Sequence, residues 1–281
     1  MTPAARFQAA IEILDAAAKA PSTEQVLTGW ARRSRFAGAK DRAAIRDIVF
    51  DVLRKRRSCA ALGGGEEGRA LVLGYCRQSG LDPASVFTGC GHAPPPLTEN
   101  ERRAGDTPTP GSGAALDCPD WLMPRLHDAL GARTEEILNC LRHRAPVFVR
   151  ANLARGSRAQ VQAALAEEGI ATRPHALSPS ALEVTEGARR VRLSECYISG
   201  LVELQDAASQ AVADLVPLQP GETLLDYCAG GGGKSLAVAA RVAGRYLLYD
   251  VRPERMRDAP ARAARAGTPV ELLSASGVAA C

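Results

Sequence analysis

Apolar positions recur at helical spacing through the first part of the chain. Phe7, Ala10, Ile11 and Leu14 mark a helix over 3–20 that ends before Pro21. Ser22 or Thr23 caps a second helix through Val26, Leu27 and Trp30. Asp41 caps a third, whose stripe is Ile45, Ile48, Val49, Val52 and Leu53 and which closes on Arg54-Lys55-Arg56-Arg57. Gly63-Gly64-Gly65 breaks the pattern, and 69–78 resumes it. Prolines then crowd 89–113 around a polar, helix-like patch at 98–104, which reads as a linker. Trp121, Leu122, Leu126 and Leu130 share one face of the next helix. Thr134 caps another that buries Ile137, Leu138 and Leu141.

After Pro146 the period changes. Residues 147–152, 181–185 and 200–205 read as strands around an amphipathic helix at 157–168, a small α+β module. Asp206 caps a helix carrying Ala207, Ala208, Ala211, Val212 and Leu215. Beyond Pro220 the order is strand (Leu224 to Asp226), glycine turn, helix (234–242), strand (245–250), helix (253–266) and strand (270–273). That β-α-β-α-β order predicts a parallel, doubly wound sheet with right-handed connections.

Composition narrows the reading little. The chain has 281 residues, enough for about two domains. Aromatics are 4% of it, so the core is built from Ala, Leu and Val. A net charge of +4 permits a polyanionic partner without requiring one. No apolar run approaches the roughly 20 residues that span a bilayer, and the charged N-terminus lacks a signal-peptide core, which predicts a cytoplasmic monomer with no membrane association. The eight cysteines (Cys59, Cys76, Cys90, Cys118, Cys140, Cys196, Cys228 and Cys281) include no C-x-x-C pair. Cys140-x-x-His143 and Cys90-x-His92 each lack a second ligand pair, so thiols in a reducing compartment, not a metal site, are expected.

The chemistry concentrates in Leu224–Ser235, LLDYCAGGGGKS. Glycines let backbone pass close to a ligand, and a following helix offers unpaired N–H groups. A phosphate loop, G-x-x-x-x-G-K-[ST], fails because its first glycine falls on Cys228. The dinucleotide pattern G-x-G-x-x-G fails because Ser235 stands at its third glycine when Gly230 is the first. A loop for S-adenosyl-L-methionine fits: Asp226 ends the first strand, glycines follow, and Asp250 ends the next strand, where a ribose would lie. A plain glycine linker does not suit flanks with regular patterns. For Asp250 the competing reading is a helix cap; Arg255 reads as a solvent-facing helical arginine first and as a cofactor contact second.

Several segments together resemble the bacterial ribosomal RNA cytosine-5 methyltransferases of the Sun type. They are Asp41-Arg42-Ala43-Ala44-Ile45-Arg46 with Val52-Leu53-Arg54; Pro119-x-Trp121-Leu122 with Arg144-Ala145-Pro146 and Arg150-x-Asn152; Leu204-Gln205-Asp206-x-x-Ser209-Gln210; and Asp226-x-Cys228-Ala229-Gly230-Gly231-Gly232-Gly233-Lys234-Ser235. The resemblance implies an incomplete α/β Rossmann-like methyltransferase domain (205–281), preceded by an all-α RNA-binding domain similar to an antitermination factor (1–88), a linker (89–117) and an α+β pre-catalytic RNA-binding module (118–204). It implies S-adenosyl-L-methionine as cofactor, contacted by Asp226, Cys228, Ala229, Gly230, Gly231, Gly232, Gly233, Lys234 and Asp250. RNA, ribosomal RNA foremost, is the implied partner. Arg54, Lys55, Arg56, Arg57 and Arg150 are candidate phosphate contacts, although a solvated helix end accounts equally well for each member of the basic run.

In this family one thiolate attacks C6 of cytosine and a second cysteine assists product release. The nucleophile stands in a Thr-Cys-Ser setting and its partner in an Asp-x-Pro-Cys setting. Neither occurs in this chain, and Gly231 replaces a more usual proline. The resemblance therefore predicts a C-terminally truncated enzyme without its catalytic cysteines. Three of seven expected strands would be present, with an open edge on the loop strand that favours aggregation or partial folding. The alternatives are a non-catalytic RNA-binding protein derived from such an enzyme and, less well matched, a nucleotide-hydrolysing P-loop protein.

Overall fold

The computed structural model describes residues 1–278. The chain divides between residues 145 and 146 into two compact units.

The first unit is helical. Helix α1 (Pro3–Ala17) starts where the Thr2 hydroxyl accepts from the Ala5 amide at 3.2 Å. Helices α2 (Thr23–Arg33), α3 (Ala39–Arg54), α4 (Arg56–Gly63) and α5 (Gly68–Gln78) follow. Their core joins Ile11, Ile13 and Leu14 to Leu27, Ile45, Val49, Val52, Leu71, Val72 and Leu73. Cys59 and Cys76 lie in it, and burial pushes each thiol up to about 12. Asp41 does not cap α3. Gly38 occupies the cap, and Asp41, one turn in, accepts from the Gly38 amide, the N-terminal ammonium and Arg6 Nε.

Helices α4 and α5 approach so closely that a Cβ on Gly74 would stand 1.8 Å from the Cys59 carbonyl oxygen. The short helix α6 (Pro83–Val86) precedes the proline-rich stretch, and α7 (Glu99–Arg103) lies in it. That stretch is not a free linker, because arginines of α5 satisfy its irregular backbone. Arg77 donates to the carbonyls of Ala104, Glu101 and Arg102. Arg69 binds Glu101 and the Pro95 and Pro96 carbonyls, and this arginine holds the Glu101 carboxyl down at about 2.

Helices α8 (Met123–Leu130) and α9 (Thr134–Leu141) close the unit. Here the expected faces shift. Trp121 precedes α8 and is 69% exposed beneath the Arg125 guanidinium, and Leu141 is exposed too. Thr134 is no cap; its hydroxyl donates to the Gly131 carbonyl at 2.7 Å. Buried Asp117, in a left-handed conformation (φ 55°), accepts from Ser58 and from Arg142 Nε at 2.7 Å.

The second unit contains two sheets. Strands β1 (Val147–Ala151), β2 (Thr172–Pro174), β3 (Ala181–Val184) and β4 (Val202–Leu204) form an antiparallel sheet in the order β2-β3-β1-β4. Helices α10 (Arg158–Glu167) and α11 (Glu195–Ile198) serve as its connections. Val149, Ala151, Val161, Leu165, Ile170, Leu182 and Val202 make the core of one face. β2 went unread in the sequence, being three residues long, polar, and closed by proline at a sheet edge.

After α12 (Ala207–Asp214), strands β5 (Thr223–Asp226), β6 (Arg245–Leu248) and β7 (Glu271–Leu272) form a parallel sheet in that order. Helices α13 (Gly233–Ala239) and α14 (Ala259–Ala266) connect them, and a short helix, α15 (Ala275–Val278), follows β7. β5 lies at the edge, with Leu225 40% exposed. Cys281 lies outside the described residues.

Gly74→Ala places a methyl against the Cys59 carbonyl and is expected to destabilise the first unit by about 3 kcal/mol. Urea unfolding followed by Trp30 and Trp121 fluorescence measures it; an unchanged midpoint would contradict the close helix contact.

Candidate functional site

The site grows from the carboxyl ends of β5 and β6, the place where open α/β sheets bind ligands. The pairing of Asp226 with Leu248 brings both strand ends level. The Tyr249 amide donates to the Asp226 carbonyl, and the Ala229 amide donates back to the Tyr249 carbonyl, both at 2.9 Å. The chain then turns sharply. Gly230 (φ 51°) and Gly232 (φ 73°) occupy the left-handed region that residues with a Cβ avoid, and a Cβ on Gly232 would meet the Leu248 side chain at 2.9 Å. Helix α13 begins directly after.

Two carboxylates hold this turn. Asp226 Oδ2 accepts from the buried Ser235 hydroxyl at 2.6 Å, tying the strand end to α13. Asp250, 2% exposed, accepts from the Gly230 amide through Oδ2 and from the Arg252 amide through Oδ1, both at 3.0 Å. The Arg255 guanidinium stands 3.3 Å from Oδ2. The Arg252 amide foremost, working against burial, and then the Gly230 amide and Arg255 keep the Asp250 carboxyl below its ordinary range. Asp250 is thus a brace for the loop, and it does not cap the helical turn at Pro253–Met256, whose cap position is Arg252.

The predicted cofactor residues therefore come together: Asp226, Asp250 and the backbone from Cys228 to Gly233 surround one turn. Cys228 and Lys234 are exposed, whereas Ala229 and Gly232 are buried. Arg255 stands at the site, and its side chain is also 56% exposed, so both of its readings hold in part. Two features were missed. Arg262 of α14 donates to the Gly231 carbonyl at 2.7 Å, and nothing in an Ala/Arg-rich helix singles it out. Tyr227 and Tyr249 pair with ring centroids 5.0 Å apart at the same strand ends.

The site suits S-adenosyl-L-methionine in its donor set. Asp250 has lone pairs beyond those already used, for hydroxyl donors. The open side of Gly230, where only Arg255 comes within 4 Å of a Cβ position, leaves backbone accessible. Among the described residues no group of His, Cys, Asp and Glu could hold a metal ion.

The candidate RNA contacts fare less well. Arg54 pairs with Asp51 at 2.7 Å, Arg56 with Glu66 at 3.4 Å, and Arg57 with Asp120 at 2.7 Å. The run is also not one helix end, because α3 stops at Arg54 and α4 begins at Arg56 around half-buried Lys55. Arg150 is 3% exposed and cannot meet an RNA backbone in this structure. Its alternation in β1 points it away from the α10 core, but that second face is covered as well. Burial pushes its guanidinium down to about 10, against the pull of Glu203.

Comparison with known proteins agrees in class. The Methyltr_RsmF/B-like, ferredoxin-like domain family matches residues 118–191, and the β2-β3-β1-β4 order is that of a ferredoxin-like sheet. The crystal structure of PH0851 superposes on 97% of the chain and 69% of its own, with TM-score 0.66 and 19% identity. A methyltransferase homolog protein from Pyrococcus horikoshii does so over 57% and 54%, with TM-score 0.53 and 21% identity. The fold is the one these two structures share.

Among curated proteins the chain is similar to ribosomal RNA small subunit methyltransferase B. It is 34% identical to the Vibrio cholerae protein over 44% of this chain and 28% of that one, and 29% identical to the Serratia proteamaculans protein over 50% and 32%. The matched region spans about a third of these relatives' length.

Because the folded Asp250 carboxyl titrates below the free value of about 3.9, its contribution is fully present above that value and is lost as pH falls through the lower, folded one. The Gly230 amide proton shift should follow that titration by NMR and lose it in Asp250→Asn. A midpoint at or above the free value would contradict the brace.

Proposed function

We propose that this chain holds S-adenosyl-L-methionine at the Asp226–Lys234 loop as the donor-binding part of an RNA cytosine-5 methyltransferase. The observation that carries the reading is the convergence of Asp226, Asp250 and the Gly230–Gly232 turn at the carboxyl ends of β5 and β6. The bound donor supplies an electrophilic methyl on sulfonium. Asp250 would accept from the ribose hydroxyls once Arg255, whose side chain is largely exposed, swings off it. The Tyr227–Tyr249 pair offers an aromatic edge for the adenine. RNA, ribosomal RNA in the first instance, is the acceptor that the names of these relatives suggest.

Covalent activation of cytosine needs a thiolate. No cysteine here stands in an Asp-x-Pro-Cys or Thr-Cys-Ser setting. Burial pushes the thiols of Cys59, Cys76 and Cys196 up to about 12, far from the thiolate form. These residues therefore supply the donor site without the nucleophile. The second reading, a non-catalytic RNA-binding protein, loses its chief carriers with Arg150 buried and the basic run largely ion-paired.

Calorimetry with S-adenosylhomocysteine is expected to show binding that weakens about tenfold or more in Asp250→Ala, the cost of a hydrogen-bonded charge. No binding by the wild-type chain would sink the donor assignment. Incubation with methyl-labelled donor and RNA is expected to leave the RNA unlabelled; label in the RNA would overturn the missing-nucleophile part.

A further inference from the structure

The glycine loop is held from outside its own strand–turn–helix unit. Arg262 of α14 reaches the Gly231 carbonyl through Nη1 at 2.7 Å, and its Nε lies 3.3 Å from Glu203 Oε2. Glu203 belongs to β4, in the other sheet, and is buried. It also accepts twice from Arg265 Nη2, at 3.0 and 2.9 Å, and pairs across the sheet with Arg150, whose Nε and Nη1 have no hydrogen-bond partner. One buried carboxylate thus binds two arginines and lies across the sheet from a third.

The far end of α14 is fastened to the same sheet. Asn152, just past β1, donates through Nδ2 to the carbonyls of Ala266 and Gly200, both at 3.0 Å. The Arg265 guanidinium lies 4.3 Å from the Tyr197 ring centroid. The position of Arg262 is therefore dictated by the antiparallel sheet, while its contact is with the loop of the parallel one. Gly231 fits this arrangement: a Cβ there would stand 2.5 Å from Arg262 Nη1, so a side chain would evict the guanidinium. Flanked by Gly230 and Gly232, both in left-handed conformation, Gly231 has little of its own to fix its carbonyl.

We propose that Arg262 is a positioning residue for the methyl donor. It fixes the Gly231 carbonyl, so that the neighbouring loop backbone faces the ligand. Through Glu203 it makes the donor loop depend on the small antiparallel sheet. The proposal rests on the donor reading of the loop.

The test compares the full chain with Arg262→Met and Arg262→Lys, measuring S-adenosylhomocysteine affinity by calorimetry and amide exchange of 228–236 by mass spectrometry. Arg262→Met is expected to weaken binding about tenfold and to speed loop exchange, with exchange in 147–184 and the melting temperature unchanged. Arg262→Lys keeps the charge beside Glu203 but lacks the fork that reaches two acceptors, so its affinity should fall between the other two. If Arg262→Met fails to fold, Arg262→Lys alone decides by the same readouts. Wild-type affinity with unchanged loop exchange overturns the proposal. So does an equal rise of exchange in loop and sheet, which would make the role merely structural. If the wild-type chain binds no donor, the donor reading fails, while loop exchange still reports whether Arg262 holds the turn.

Discussion

The shape of the glycine turn depends on one buried interaction, the Asp250 carboxylate accepting the Gly230 amide. A left-handed glycine exposes its amide to whatever lies inside the turn, and an anion at the end of the adjacent parallel strand is well placed to receive it. Removing that acceptor would leave a buried donor unpaired and the turn without a wall. Parallel pairing of β5 with β6 brings the two strand ends level, and the Asp226–Ser235 bond carries the constraint into α13. The loop is thus braced on its strand side, its helix side and, through Arg262, its outer side.

The electrostatics of the second unit follow from the same economy of carboxylates. Arginine outnumbers its buried partners around Glu203, so one acidic residue serves several guanidinium groups at once. Arg150 is left with N–H groups unpaired in the interior. Buried charge of this kind is a weak source of stability, but it fixes how neighbouring elements sit. Here the elements are β1, β4 and α14, which meet beside the glycine loop.

The first unit shows a different use of the same residue type. Arg69 and Arg77 project from α5 onto a segment whose only regular element among the described residues is the five-residue α7, and their donors satisfy carbonyls that longer elements would have paired. Close backbone contact between α4 and α5, permitted by Gly63 and Gly74, leaves those arginines anchored on a rigid base.

What the sequence by itself determined was local. Strand, glycine turn and helix at 224–239, with Asp226 and Asp250 at successive strand ends, could be read because each signal lies within a few residues of its neighbour. The helical stripe Ile45–Leu53 was legible for the same reason. Tertiary structure alone decided what lay across space. Asp120 and Glu66 neutralise arginines that looked available for RNA, and they are distant or off-pattern in sequence. Arg150 looked available too, and the fold buries it. Arg262 reached Gly231 from 31 residues away. Side-chain type and spacing encode local geometry, whereas burial and charge pairing depend on which surfaces the fold brings together.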